Sequence, residues 1–266
     1  MTMRWEELTA ADFPRAAEAA RGVCIVPIGV LEKHGNHLPF GTDGLFGQAI
    51  ADLATTKEPA IVFPVYYFGQ IHEAKHWPGA IALRHELMFD LLENLCEEIS
   101  RNGLHKIVLL NAHGGNESFL PYFCQMMLEK PRDFSLYVIR LADYFHAAID
   151  TPEWKAMMES EFDEHGGEAE TSGFMAMYPE LVKMAQLTAP GNPLKRQQHI
   201  PHVTTSVTWY ANFPDHYAGD AIHATPEKGR FLVEHFVDRV AEILKSIKED
   251  TVTSELEAEF WSRVRH

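Results

Sequence analysis

The sequence predicts an α/β fold: a central, mostly parallel sheet with helices on both faces. Three observations carry this. Short apolar runs recur at 23–30, 60–67, 106–111 and 135–140, and strands buried on both faces read as continuous apolar stretches rather than alternating ones. Between them lie segments with apolar residues at helical spacing, Leu45, Phe46, Ala49, Ile50 and Leu53 in one and Leu87, Leu91, Leu95 and Ile99 in another. Polar clusters rich in His and acidic residues directly follow the first and third runs, at the strand ends where open α/β sheets bind ligands.

Taken in order, residues 5–20 read as a helix with Thr9 as its cap, running to Gly22. The strand 23–30 and a polar loop follow, then a helix over 43–55 whose first turn carries Asp43. Pro64 marks the strand 60–67 as an edge or an irregular strand. A His-bearing loop with the turn Trp77-Pro78-Gly79 leads to a helix that stops at Gly103. The strand 106–111 ends in Asn111-Ala112-His113-Gly114-Gly115-Asn116, and a helix over 117–129 precedes the last clear strand. Residues 152–162 read as helical, and a further helix follows Asp163 to Ser172 and reaches Tyr178. Residues 188–224 have no clear period and suggest long loops or a short hairpin over 203–209. Thr225-Pro226 opens the final helix, with Val233, Val237, Val240, Leu244 and Ile247 as its buried face.

With 266 residues the chain suits one large domain, 1–250, followed by a charged, solvated tail, 251–266. A net charge of −15 argues against nucleic acid or an anionic membrane as partner, since both demand clustered Lys and Arg. The three Cys lie in apolar segments without a close-spaced framework, which fits buried thiols in a reducing compartment, and no apolar run approaches the roughly 20 residues that cross a bilayer. A cytoplasmic location is the expectation.

The stretch Leu31-Glu32-Lys33-His34-Gly35-Asn36-His37-Leu38-Pro39-Phe40-Gly41-Thr42-Asp43 supplies two carboxylates and two imidazoles after a buried strand. That donor mixture suits zinc, manganese or iron, because imidazole favours borderline metals and a carboxylate can bridge two of them. By itself the stretch also reads as a solvated polar loop. The clusters at His113 and at Asp163-Glu164-His165-Gly166-Gly167-Glu168-Ala169-Glu170-Thr171-Ser172 weigh towards the metal site.

These three clusters, in this order and spacing, resemble the creatininase (creatinine amidohydrolase) family over about residues 5–248. The resemblance implies a parallel sheet, a centre of two divalent ions (Zn, Mn or Fe), hydrolysis of cyclic amides or related carbonyl–nitrogen bonds, a small-molecule substrate, and assembly into homo-oligomers such as hexamers, with 188–224 as the place to look for subunit contacts. Position by position, it makes Glu32 and His113 ligands of one ion, His34 a ligand of the other, Asp43 the bridging carboxylate and His165 a histidine at the reacting centre. It sets His37 and His76 at the pocket, with Trp77, Gly114 and Gly115 as further lining. His72 falls in an inserted stretch, and His216, His223 and Tyr217 have the weakest claims.

Two departures bear on substrate. Creatinine-hydrolysing members resemble His-Tyr-Glu-Asn where this chain has His113-Gly114-Gly115-Asn116, so the second ion lacks a carboxylate. Glu168 is the expected replacement, as ligand and catalytic group, while Glu164 and Glu170 read as helix-end charges. Those members also place a Trp before the third motif, where this chain has Glu161-Phe162-Asp163, leaving Trp154 and Trp77 as candidates. Members with His-Gly-Gly-Asn include a formamidopyrimidine-nucleotide deformylase, a peptide-processing enzyme and a hydrolase opening an oxidised inositol ring.

The expected activity is amide, cyclic amide or formamide hydrolysis by a hydroxide bridging two ions about 3.5 Å apart, with His165, near its ordinary pKa of about 6.5, shuttling the proton. Ring-opening C–C hydrolysis of an oxidised cyclitol, or a non-catalytic metal- or ligand-binding role, are the competing expectations.

Overall fold

A computed structural model describes residues 2–264. Four parallel strands form the main sheet in the order β2-β1-β3-β4, where β1 is Val23–Ile28, β2 Ile61–Val62, β3 Lys106–Asn111 and β4 Ser135–Ile139. The α/β expectation holds, and the strands are covered on both faces. Successive side chains of a strand point to opposite sides, so Val23 and Ile25 of β1 with Val108 and Leu110 of β3 enter one core, while Cys24, Val26, Ile107 and Leu109 enter the other. All eight are fully buried, at about 1.5–3 kcal/mol each for the larger aliphatic side chains.

The first core is closed by α2 (Thr42–Lys57), α5 (Leu141–Ile149), α7 (Glu168–Met177) and α9 (Pro226–Glu249); the second by α1 (Phe13–Ala19), α3 (His85–Arg101) and α4 (Asn116–Met126). α6 (Pro152–Met157) buries Trp154 in the first core. Helix α9 begins as read: Thr225 Oγ1 accepts the Lys228 N–H at 3.2 Å and Pro226 occupies the first turn. Its end is held by Lys106, whose ammonium donates to the Ile247 and Lys248 carbonyls at 2.9 and 3.0 Å.

Several boundaries differ from the sequence reading, each for a local reason. The N-terminal helix is a 3-10 turn at Trp5–Glu7 and then α1, whose first turn holds Pro14. Pro64 limits β2 to two residues, although Tyr66 still bridges Ile28. Unmarked by apolar period, α5 starts where the Asp143 carboxylate accepts the Arg140 N–H at 3.0 Å. No hairpin forms over 203–209. Instead α8 (Thr208–Asn212) lies there, and β5 (Asp163–His165) pairs antiparallel with β6 (Ala218–Gly219). The C-terminal segment forms α10 (Val252–Arg263), none of whose residues is buried. Among the described residues no helix is long and apolar enough to cross a membrane.

Parallel register sets Ile28 beside Asn111, so the segments leaving β1 and β3 emerge together at one rim. Gly29 and Gly44 then let α2 close onto that rim: a Cβ on Gly29 would lie 2.4 Å from the Gly44 nitrogen. That contact delivers the first turn of α2, with Asp43, to the strand end.

Candidate metal centre

Glu32, His34, Asp43 and His113 converge at this rim, and all are buried. The Asp43 carboxylate stands between two imidazoles, Oδ1 at 2.8 Å from His34 Nε2 and Oδ2 at 3.1 Å from His113 Nδ1. Glu32 Oε1 lies 2.7 Å from the same His113 Nδ1. Two groups of three, Glu32 with Asp43 and His113, and Glu32 with His34 and His165, have ligand atoms within 4.8 Å of one another.

The far side of each ring fixes which nitrogen faces the cluster. His113 Nε2 lies 2.8 Å from the Gln70 carbonyl, which can only accept, so Nε2 carries the hydrogen and Nδ1 keeps its lone pair. Asn116 holds the Gln70 backbone, its Oδ1 accepting the Gln70 N–H at 2.9 Å. His34 Nδ1 turns to the Glu32 carbonyl at 3.4 Å, leaving Nε2 towards Asp43. Glu32 Oε1, Asp43 Oδ2 and His34 Nε2 are all buried without a hydrogen-bond partner. Lone pairs meeting carboxylate oxygens in a buried site call for a cation between them, either a proton or a metal ion. Without a metal, protons take the place: burial opposes charge on His34, but Asp43 and Glu32 outweigh it and bring the pKa up to about 10, and His113 is raised likewise by Glu32 and Asp43.

Around the cluster, Asn111 anchors the second motif, its Oδ1 accepting the His113 N–H at 3.1 Å and its amide donating to Glu117 at 2.9 Å. A cavity of about 250 Å³ is lined by Asp43, His165, Glu170 and Gly114, with Phe46, Phe145 and Trp209 as aromatic lining. His165 is held through Nε2, 2.9 Å from the Lys33 carbonyl, so Nδ1 is its basic atom. Burial and the neighbouring His34 hold His165 well below its ordinary pKa, in place of the near-ordinary value expected.

A family model described as Creatinine amidohydrolase matches residues 6–244. The chain belongs to the creatininase family. It is a creatininase-family hydrolase. It is similar to creatinine amidohydrolase of Pseudomonas putida, 26% identical with 90% of this chain and 95% of that protein covered. To the 3-dehydro-scyllo-inosose hydrolase of Thermotoga maritima it is also 26% identical, over 85% of this chain and 77% of that one. A crystal structure of creatinine amidohydrolase shares the fold, with a TM-score of 0.80 over 94% of this chain and 99% of that chain at 23% identity.

The creatininase motifs of this chain divide unevenly between the cluster and its supports. Glu168, expected as a metal ligand and catalytic group, is elsewhere: it is ion-paired to Lys228 of α9, and its Oε2 accepts the N–H groups of Glu159 and Ser160 at 3.0 and 2.7 Å. Two positions along a helix amount to a rotation of about 200°, so Glu168 and Glu170 of α7 face opposite ways. Glu170 is the one turned to the cluster, with Oε2 at 4.0 Å from His34 Nε2 and held by the Gly166 N–H at 2.6 Å. Burial pushes its carboxyl up to about 7, against the pull of His34.

His37, His76, Trp77 and Gly115 do not line this cavity. His37 is buried and bonds Thr171 Oγ1 at 2.9 Å, tying the first motif to α7, and burial lowers its pKa to about 4. His76 Nε2 and Trp77 Nε1 both donate to the Pro214 carbonyl, at 2.8 and 3.0 Å, and so clamp the 213–217 loop. Gly115 has no room for a side chain, since a Cβ would meet His113 Nε2 at 2.5 Å.

Two residues given little or no weight in the sequence sit at the centre. His216 is buried with Nε2 at 2.7 Å from Glu32 Oε2, and Trp209 of α8 stands edge-on to His165, ring centroids 5.7 Å apart. Both come from the aperiodic 188–224 region, where only its run of aromatics and His hinted at a buried role.

Proposed function

We propose that the chain is a divalent-metal-dependent amidohydrolase cleaving a C–N bond in a small polar substrate that carries no phosphate. The observation that supports it most directly is Asp43, whose two carboxylate oxygens each meet the lone-pair nitrogen of a different buried imidazole. Glu32, Asp43 and His113 would hold one ion, and His34, Asp43 and Glu170 a second. Zn, Mn and Fe all suit this donor set. Bound there, such ions supply Lewis acidity, which polarises a carbonyl and lowers the pKa of water.

The side chains of the cavity carry out the rest. His165 is neutral at physiological pH, so its Nδ1 accepts the proton of the attacking water and returns it to the departing nitrogen. Trp209, Phe46 and Phe145 hold a flat amide and exclude bulk water from it. Among the described residues no Lys or Arg lines the cavity, while Glu117 and Glu164 do, so a phosphate reaching away from the proposed ions would find no cationic side chain. This disfavours a nucleotide substrate. Trp209 also supplies the aromatic face that Trp154, in the core, and Trp77, bonded to the Pro214 carbonyl, do not.

The test is metal analysis of the purified chain together with an amide panel. The expected outcome is about two transition-metal ions per chain, and loss of hydrolysis in Asp43→Ala by a factor of about 100 or more. Full turnover in that variant would overturn the reading. Product analysis separates it from cyclitol ring opening, because only C–N cleavage releases an amine or formate.

A further inference from the structure

We propose that Trp209 and His216 form a positioning relay on Glu32: the indole N–H fixes the tautomer of His216, and His216 then holds one oxygen of Glu32 so that only the other faces the cluster. The inference rests on the metal-centre reading above. Indole nitrogen is a donor only, so the 3.2 Å contact from Trp209 Nε1 to His216 Nδ1 requires a lone pair on Nδ1. A neutral imidazole has a single N–H, which is then on Nε2, 2.7 Å from Glu32 Oε2. Glu32 Oε1, left without a hydrogen-bond partner, lies 2.7 Å from His113 Nδ1.

The backbone shows that this arrangement is held in place. His216 adopts φ +52°, a left-handed conformation uncommon for a residue with a side chain and seen where surrounding contacts over-determine it. Those contacts are present: Gly35 N–H donates to the His216 carbonyl at 3.2 Å, and the Pro214 carbonyl accepts from both His76 and Trp77. Trp209 meanwhile lines the cavity beside His165. One side chain therefore borders the substrate space and, through His216, sets the carboxylate of a ligand. Without the relay Glu32 Oε2 would be buried and unpaired, and the carboxylate would be free to turn.

The experiment has two independent readouts. In the 15N spectrum of the metal-free chain, the His216 signal, assigned by its loss in His216→Ala, is expected to show a protonated Nε2 and a bare Nδ1. Trp209→Phe keeps an aromatic side chain but removes the donor, and is expected to give a tautomer mixture. In zinc titrations against a chelator, His216→Ala is expected to weaken binding about 10- to 100-fold, the range for an outer partner of a metal ligand. His216→Gln, whose amide can donate to Oε2, is expected to recover most of it. Trp209→Phe should weaken zinc binding in the wild-type background and leave it unchanged in His216→Gln, which has no tautomer to lock. A proton on Nδ1, undiminished zinc affinity in His216→Ala, or an equal Trp209→Phe penalty in both backgrounds would overturn the relay. A chain with the stated tautomer that binds no divalent ion would instead overturn the metal-centre reading.

Discussion

Asp43 shows how a single residue acquires its role from what surrounds it. In sequence it opens a helix, and in space its two carboxylate oxygens each meet a different imidazole, because Gly29 and Gly44 let α2 approach β1 so closely. The proton content of this cluster gives a prediction at the same scale. His34, brought up to about 10, and His113, raised well above its ordinary value, each carry a proton in the metal-free chain at neutral pH. A metal ion must displace those protons, so zinc binding is expected to release more than one proton per chain and to tighten as pH rises towards 8. Calorimetry in buffers of different ionisation enthalpy measures the number released, and a pH-independent affinity with no release would contradict it.

At the scale of the element, α7 does two jobs on two faces. Glu170 looks to the cluster and Glu168 to Lys228 on α9, and exchanging their expected roles is what a helix does when residues two apart are read as equivalent. The variants should therefore separate cleanly. Glu170→Gln is expected to lower metal content with little change in stability, and Glu168→Gln to keep metal but lose about 1.5–3 kcal/mol, because Lys228 gives up its buried carboxylate partner and keeps only Glu159 and the His223 carbonyl. For Glu168, burial pushes the carboxyl up, but Lys228 and the Ser160 N–H outweigh it and hold its pKa below the ordinary value. Its contribution is therefore complete above the unfolded carboxyl value of about 4.3 and fades as pH falls through the lower folded value. Denaturant unfolding of wild type and Glu168→Gln should differ at pH 7 and converge in acid; a gap that widens in acid would refute the pairing. The 213–217 loop is the second such element. Clamped by His76 and Trp77, it turns apparent pocket residues into supports for His216.

Across the whole molecule, the core and the cavity share walls. Phe236 of α9 is fully buried against Phe46, Tyr144 and Phe145, and the last three also line the cavity. Phe236→Ala is expected to cost about 3–5 kcal/mol by denaturant unfolding and, because Phe46 and Phe145 lose their backing, to raise KM more than it changes kcat. Unchanged KM in a variant so destabilised would separate the cavity from the core.

What the chain announced by itself followed from local physics. Apolar runs and helical period gave the parallel sheet and its covering helices, and strand ends followed by Glu32, His34, Asp43 and His113 marked the rim, since each signal is carried by neighbours in sequence. The strand pair β5 and β6, the choice of Glu170 over Glu168, and the arrival of Trp209 and His216 were settled only by tertiary contacts. Their partners lie far along the chain, as Glu32 does from His216, and no periodicity in one segment encodes the direction in which another will meet it.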